Sequence, residues 1–446
     1  MQLCMSTSYQ PYAPEQDLLL PQSLQEWLPA GHLAHYINDT IDALDLSAFF
    51  KRYEGGGSRN QPFHPAMMVK VLVYGYATGV FSSRKMARKL HEDIAFRVLA
   101  ASNFPKHRTL CDFRALHLEE LAALFVQVVK LAGECGLVKL GTIAVDGTKL
   151  RANASKHKAM SYERMQVREV ELKAQIDDLL ARAARADVAD ADEPELDIPA
   201  EIARRTQRVE AIEAAKLRLE ARQREVDLQR GRQPDDDEPP APGQLAKAGK
   251  AGPAFKRAFG EPAPKTQDNF TDPDSRIMKT STGFEQCFNA QTAVDSHRQI
   301  IVAAELTQCA ADSGELPGML DAVKRNTGQD AASAVADAGY RSEAVLAQLS
   351  VSPTEVLVAM GGEGKKQTAI NAHKLPHTSA MAAKLDSPEG RAKYRRRKAI
   401  VEPPNAWIKQ VLGFRQFSFR GVDKVRSEFK LVCAALNLRR MATMRV

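Results

Sequence analysis

Three carboxylates stand at positions where an acid has a chemical use. Asp146 closes the apolar run Ile-Ala-Val-Asp-Gly-Thr, Asp337 closes Ala-Val-Ala-Asp-Ala-Gly-Tyr, and Glu402 is the only acid between Arg391 and Ile408. An aspartate at the carboxyl end of a buried strand in an α/β sheet faces the crevice where such sheets bind ligands. A charge left at the edge of a core is costly unless a cation compensates it. Oxygen-only ligands suit Mg²⁺, which takes one or two carboxylates, retained waters and phosphate oxygens. Two such ions about 4 Å apart serve in-line phosphoryl displacement by activating the attacking oxygen and steadying the leaving one. Taken singly, an Asp after a strand is more often a turn or cap residue. Asp295, in the turn Asp-Ser-His-Arg, and Asp312, ahead of a helix it could cap, are rival acids and rank below Asp337.

The charge around Glu402 is of the opposite sign. Arg395, Arg396, Arg397 and Lys398 precede it and Lys409 follows. Residues 391–446 hold 15 Lys and Arg against three acids, a net of +12. The other 390 residues hold 47 Lys and Arg against 52 acids, so the chain's net +7 sits entirely in its last eighth. A polyanion is the natural partner of such a segment, because each phosphate neutralised releases counterions. A basic, solvated helix is the plainer alternative.

These residues need a sheet to hold them. GTIAVDGTKL (141–150) reads as a buried strand ending in Asp-Gly. Further strands are expected at 288–294 and 299–306, then a helix at 315–324, a strand at 331–336, a helix at 343–349 and a strand at 354–359. Three strands followed by alternating helix and strand describe a mixed α/β sheet with helices on its faces. Residues 60–135 read as an all-α region. Pro65 opens an apolar helix that ends at Gly79, and Ser82 or Ser83 can cap the basic segment containing Arg84, Lys85, Arg88 and Lys89. A third helix is expected from Thr109 to Gly136. A helix-turn-helix-like DNA module and a small bundle with a basic surface both fit.

A long insertion follows the first strand. Leu172, Ile176, Leu179 and Ala183 recur at helical spacing, as do Ile202, Val209, Ile212, Leu219 and Val226, which suggests an antiparallel hairpin of coiled-coil type. The acidic stretch 187–197 joins its arms. Residues 234–264, with seven prolines and the run Asp235-Asp236-Asp237-Glu238, are expected to form a flexible linker.

Other classes fit less well. A chain of 446 residues is expected to fold as two or more domains. It has no apolar run near the roughly 20 residues of a membrane span. The first residues lack a basic segment followed by an apolar one, so export is not expected. Six cysteines without a CxxC pair read as reduced thiols of a cytoplasmic protein. HExxH and GxSxG are absent, and Gly361-Gly362-Glu363-Gly364-Lys365-Lys366 lacks the first glycine and the Ser/Thr of a P-loop. The Ser82-to-Lys85 match to SxxK is incidental in a basic helix, and His32 and His35 are too few for a metal site.

Four blocks in order, VDGTKLRANAS (145–155), GFEQCFNAQTAVDSHRQIIVAAELT (283–307), VADAGYRS (335–342) and YRRRKAIVEPPNAWIKQVLGFRQFSFRG (394–421), resemble DDE transposases of bacterial insertion sequences. The helical region from residue 61 resembles the domain that precedes this core in the family. The similarity spans most of the chain outside the first 20 or so residues and the 160–265 insertion. It implies an RNase H-like mixed sheet, with residues 1–136 as a helical DNA-binding domain and 137–446 as the catalytic domain interrupted at 160–265. The family's acid roles fall on Asp146, Asp337 and Glu402, holding two Mg²⁺ ions for which Mn²⁺ can substitute. The implied reaction is DNA cleavage at element ends followed by attack of a 3′-hydroxyl on target DNA. The implied partner is double-stranded DNA, both terminal inverted repeats and target, bound by a homodimer at the nucleoid. DNA contacts are expected from Arg84, Lys85 and Arg88 and from Tyr394, Arg397, Lys398 and Lys409. Lys409 keeps the family's spacing from Glu402, whereas Tyr394 and Arg397 stand one residue further from it than the family pattern. Pro403 and Pro404 lead to the expectation that Glu402 sits at a helix N-terminus. An RNase H-like nuclease without strand transfer and a domesticated DNA-binding regulator are the alternatives.

Overall fold

Residue 65 begins a helix because its proline has φ already set and no N–H to lose in the first turn. In the computed structural model, which describes residues 23–53, 61–189, 197–234, 257–361 and 370–444, the described residues divide into two compact units, Met1–Leu116 and His117–Val446. The first contains helices α1 (Leu33–Ala43), α2 (Ser47–Lys51), α3 (Pro65–Ala77), α4 (Ser83–Glu92), α5 (Ile94–Leu99) and α6 (His107–Leu116). Every residue of α3 except Lys70 is buried, and Lys70 reaches Asp42 at 2.7 Å and Asn38 at 2.8 Å. A Cβ on Gly75 would lie 2.6 Å from Met86 Cε and 3.0 Å from the Val80 carbonyl oxygen, so glycine leaves room there for the Met86 side chain of α4. Met86 and Leu90 of α4 are buried, while Arg84, Lys85 and Arg88 are exposed. Ser82 is the residue before α4, but its hydroxyl makes no capping bond.

The helix expected over 109–136 is two helices, α6 and α7 (Leu118–Glu134), interrupted at His117. The expected boundary at 136 and the observed partition at 116/117 differ by α7. With its buried Leu121, Phe125, Val128 and Val129, α7 packs within the second unit against the C-terminal helix α15 (Val422–Thr443).

The sheet is built around β1 (Thr142–Arg151). Ile143, Ala144 and Val145 are fully buried, the continuous apolar run of a strand covered on both faces. A short pair, β2 (Ala159–Ser161) with β3 (Gln267–Asn269), stands at the root of the insertion. Then come β4 (Arg276–Thr280), β5 (Gly283–Asp295), β6 (Ile301–Thr307), β7 (Ser333–Ala336) and β8 (Glu355–Val358). β5 runs antiparallel to β1, β4 and β6, while β7 runs parallel to both β1 and β8. This is an RNase H-like mixed sheet with an all-α region ahead of it. β4 was not expected, and β1 and β5 run further than the apolar pattern indicated, so Asp146 lies within β1 and not at its end.

The helices around the sheet are α10 (Leu316–Thr327), α11 (Glu343–Leu349), α12 (Pro376–Asp386), α13 (Pro388–Arg395), α14 (Arg397–Ala406) and α15. In α15, Val425, Phe429, Val432 and Leu436 are buried, as their spacing requires, and Asn437 exchanges two hydrogen bonds with the backbone of Ile301 (2.9 and 2.8 Å).

The insertion carries α8 (Tyr162–Ala189) and α9 (Ile198–Gln229), which pack along each other around Met165, Leu172, Val209, Ile212, Ala215 and Leu219. Val226, expected on the buried stripe, is exposed. Arg218 and Arg222 both pair with buried Asp268 of β3, tying α9 to the root of the insertion. Most of the acidic joint and of the 234–264 linker, together with the Gly362–Lys366 part of the glycine-rich run, lie outside the described residues.

Because Ile212 is fully buried in the hairpin's own core, Ile212→Ala should cost about 2–5 kcal/mol. Hydrogen exchange should show protection falling in α8 and α9 and unchanged in β1 and β5. Equal loss in the sheet would mean that the hairpin is not a packing unit of its own.

Candidate active site

The parallel ladder between β1 and β7 ends on the pair Val145↔Ala336. The next residue on each strand is an aspartate, so backbone register alone brings Asp146 and Asp337 side by side at the carboxyl edge of β7. Asp337 is half-buried, and its Oδ1 accepts from the Gly339 N–H at 2.8 Å, which caps a short 3-10 turn over Ala338–Tyr340. Burial pushes the Asp146 carboxyl up to about 6, with Arg397 opposing the rise and Asp337 and Asp312 adding to it.

Helix α14 supplies the partners of Asp146. Asn405 donates from Nδ2 to Asp146 Oδ2 at 3.2 Å, and Thr292, the cross-strand neighbour of Asp146, donates to Asn405 Oδ1 at 3.1 Å. That second bond fixes which end of the Asn405 amide faces the carboxylate. Two turns back on the same face, Arg397 places Nη1 3.7 Å from Asp146 Oδ1. Arg397 is 8% exposed, and its Nε and Nη1 have no hydrogen-bond partner among the described residues. Buried guanidinium N–H groups without acceptors suit an incoming phosphate.

Glu402 lies on α14 between these two residues, exposed and without a hydrogen bond or ion pair among the described residues. It is in mid-helix, contrary to the expectation from the two prolines that follow it. Pro403 has no N–H for the Ala399 carbonyl, but Gln299 donates to that oxygen from its side chain at 2.6 Å. Beyond the prolines the helix widens into a π turn over Trp407–Val411, where such irregularities are absorbed. Lys409 sits on that turn, half-buried; burial pulls its pKa down and Asp146 opposes that.

A cavity of about 450 Å³ adjoins the site. Its lining combines Met360, Ala382 and Leu385 with Tyr394, Arg395, Arg397 and Lys398. Arg395, Arg396 and Lys398 are exposed and have no acidic partner among the described residues. Part of the C-terminal charge is spent elsewhere: Arg426 and Lys430 pair with Glu305, and Lys393 with Glu355.

The rival acids separate cleanly. Asp295 is fully buried and accepts from the backbone N–H groups of Leu140 (2.7 Å) and His297 (2.7 Å), a structural turn role. Asp312 does not cap α10, whose preceding residue is Glu315. It faces Gly147 and Gly339 instead. Among the described residues no group of three His, Cys, Asp or Glu is arranged to hold a metal ion. The adjacent pair Asp146 and Asp337 nevertheless has the donor chemistry of a hard cation site, since Mg²⁺ is commonly held by one or two carboxylates with substrate phosphates completing its shell. Asn405 and Thr292 had no local signal in the sequence. Only the spacing of eight from Arg397, two helical turns, hints at a shared face.

Comparison with known proteins gives two matches. A transposase domain family (DUF772) matches residues 22–116, and a family described as transposase DDE domain matches residues 360–442. The first coincides with the helical unit and the second contains Glu402, Arg397 and Lys409. No curated protein and no solved structure shows significant similarity to the chain. No described helix is long and apolar enough to cross a membrane. A transposase match at each end of one chain, with the aspartate-bearing strands between them, supports placing it among the DDE transposases of insertion sequences.

Proposed function

We propose that this chain cleaves DNA at the ends of its element and joins the freed 3′-hydroxyl to target DNA, with Asp146, Asp337 and Glu402 as the catalytic acids. The observation that carries the reading is the register that sets Asp146 beside Asp337 under the buried guanidinium of Arg397. Asp146 and Asp337 would hold divalent metal, with Glu402 added from α14. Bound Mg²⁺, or Mn²⁺ in its place, supplies Lewis-acid stabilisation of phosphate oxygens and a pair of ions suits both sides of an in-line displacement. Asn405, itself oriented by Thr292, holds the Asp146 carboxylate in place. Arg397 would turn its unpartnered N–H groups to the scissile phosphate, and Lys409, Lys398 and Tyr394 would contact the strand beside it. The exposed Arg84, Lys85 and Arg88 of α4 would bind duplex DNA at the terminal repeats. A homodimer would pair two ends, and the protein would work in the cytoplasm, at the nucleoid.

Asp146→Ala, Asp337→Ala and Glu402→Ala should each lower cleavage of an element-end duplex by roughly a thousandfold or more, with binding to that duplex retained. A Glu402→Ala protein that cleaves normally would remove it from the acid set. Mg²⁺ and Mn²⁺ should support cutting, and Ca²⁺ should support binding only, because its longer and looser coordination misplaces the reacting oxygens. Full activity in EDTA would end the metal reading, and joined products with a 3′-hydroxyl donor distinguish a transposase from a simple nuclease.

The basic C-terminal segment is tested by salt. Lys409→Ala should lower the slope of log affinity against log salt by about one, the loss of one phosphate contact, and weaken binding to all sequences alike. Lys424, exposed on α15, should change the slope little when replaced by Ala. Equal slopes for wild type and both variants would assign the charge to a solvated face.

A further inference from the structure

Asp312 is a buried-side neighbour of the site that the acid triad leaves unused. It belongs to the loop between β6 and α10, yet its carboxylate is fastened to β1 and β5. Oδ1 accepts from Asn289 Nδ2 and Gln291 Nε2, both at 2.6 Å, and lies 3.4 Å from Lys149 Nζ. Asn289 and Gln291 are the cross-strand partners of Lys149 and Gly147, so the four residues share one face of the sheet. Gly147 and Asp146 are consecutive, so Asp312 works from the opposite face to the one on which Asn405 and Arg397 hold Asp146.

Two glycines make room for it. A Cβ on Gly147 would stand 2.4 Å from Asp312 Oδ1, and one on Gly339 would stand 3.4 Å from Asp312 Oδ2 and 3.0 Å from Asp337 Oδ1. One carboxylate therefore fills the side-chain space beside Asp146 and packs against the turn that Asp337 caps. The same turn is fastened once more, because the fully buried Tyr340 donates its hydroxyl to Gln291 Oε1, whose amide nitrogen is bonded to Asp312. Hydrogen-bonded side-chain networks rigidify what they connect; in this one Asn289 Oδ1 has no partner among the described residues.

We infer that Asp312 is a positioning residue of the active site, which sets the turn carrying Asp337 against the strand carrying Asp146 through Gly147, Gln291 and Tyr340. The assignment to positioning follows from its contacts, since Asp312 Oδ1 is already taken by Asn289, Gln291 and Lys149. The inference rests on the reading of Asp146 and Asp337 as the metal-holding carboxylates. It predicts that Asn is a good replacement. Oδ1 is the oxygen that takes the hydrogen bonds and an Asn oxygen can take them too, while Oδ2 accepts none among the described residues.

The test is a Mn²⁺ titration of the full chain followed by electron paramagnetic resonance, alongside the Mn²⁺ dependence of cleavage. Loss of outer partners that orient a ligating carboxylate weakens metal binding about 10–100-fold. Asp312→Ala should therefore raise the half-saturating Mn²⁺ at least about tenfold in both measurements. Asp312→Asn should stay within about threefold of wild type, and Tyr340→Phe should shift the midpoint a few-fold the same way, with DNA affinity unchanged in all three. Wild-type Mn²⁺ binding by Asp312→Ala, or an Asn variant as impaired as the Ala variant, overturns the positioning role. If Asp312→Ala fails to fold, the Asn and Phe variants decide alone: an Asn protein impaired about tenfold, or a Phe protein with unchanged midpoint, overturns it. Asp146→Ala and Asp337→Ala serve as separate controls, since normal Mn²⁺ binding by these would sink the underlying site reading and not the role of Asp312.

Discussion

The structure turns on placing two like charges next to each other at the edge of a core. The β1–β7 ladder stops at Val145↔Ala336 and delivers Asp146 and Asp337 as consecutive neighbours. Such a juxtaposition is unfavourable without compensation. The neighbouring elements can be read as its compensation. Arg397 and Asn405 approach Asp146 on one face of the sheet and the Gly339 N–H holds Asp337, while Asp312 on the other face adds a further like charge. Burial raises the Asp146 carboxyl to about 6, and the charges of Asp337 and Asp312 add to that rise against Arg397. A divalent cation is the partner that would complete the compensation.

Helix α14 has to pass the site with an unusual sequence. Two consecutive prolines would ordinarily end a helix by removing hydrogen bonds from the preceding turn. Here the Ala399 carbonyl is taken by Gln299, from the turn between β5 and β6, and the helix relaxes into a π turn after Ala406. Gln299 has φ 55°, a conformation uncommon for a residue with a side chain, and its Oε1 is held by Arg440 at 2.7 Å. Continuity through the prolines keeps Arg397, Glu402 and Asn405 on one helix.

Much of this was legible in the chain. The apolar runs before Asp146 and Asp337 announce two buried strands, and their order among helices implies that they are parallel neighbours. The stripe Val425, Phe429, Val432 and Leu436 is buried on α15 as its spacing indicates. What escaped reading depends on contacts distant in sequence. Glu402 lies in mid-helix because of a side chain about 100 residues away, which no local rule about proline contains. Asp312 reads as a helix cap until β5 is known to present Asn289 and Gln291 to it. Gly147 was the available clue: a glycine inside a strand often marks a place where another group approaches closely. The break at His117 shows a different limit, since the apolar pattern continues from α6 into α7 while the chain changes unit there.

The most direct test of the account is a crystal structure of the full chain with an element-end duplex and Mn²⁺, using anomalous scattering to locate the ions. The account requires a manganese peak between the carboxylates of Asp146 and Asp337, with Glu402 turned toward it and Arg397 on a phosphate oxygen. Manganese bound away from that pair, with Arg397 still against Asp146 and the scissile phosphate elsewhere, would contradict it.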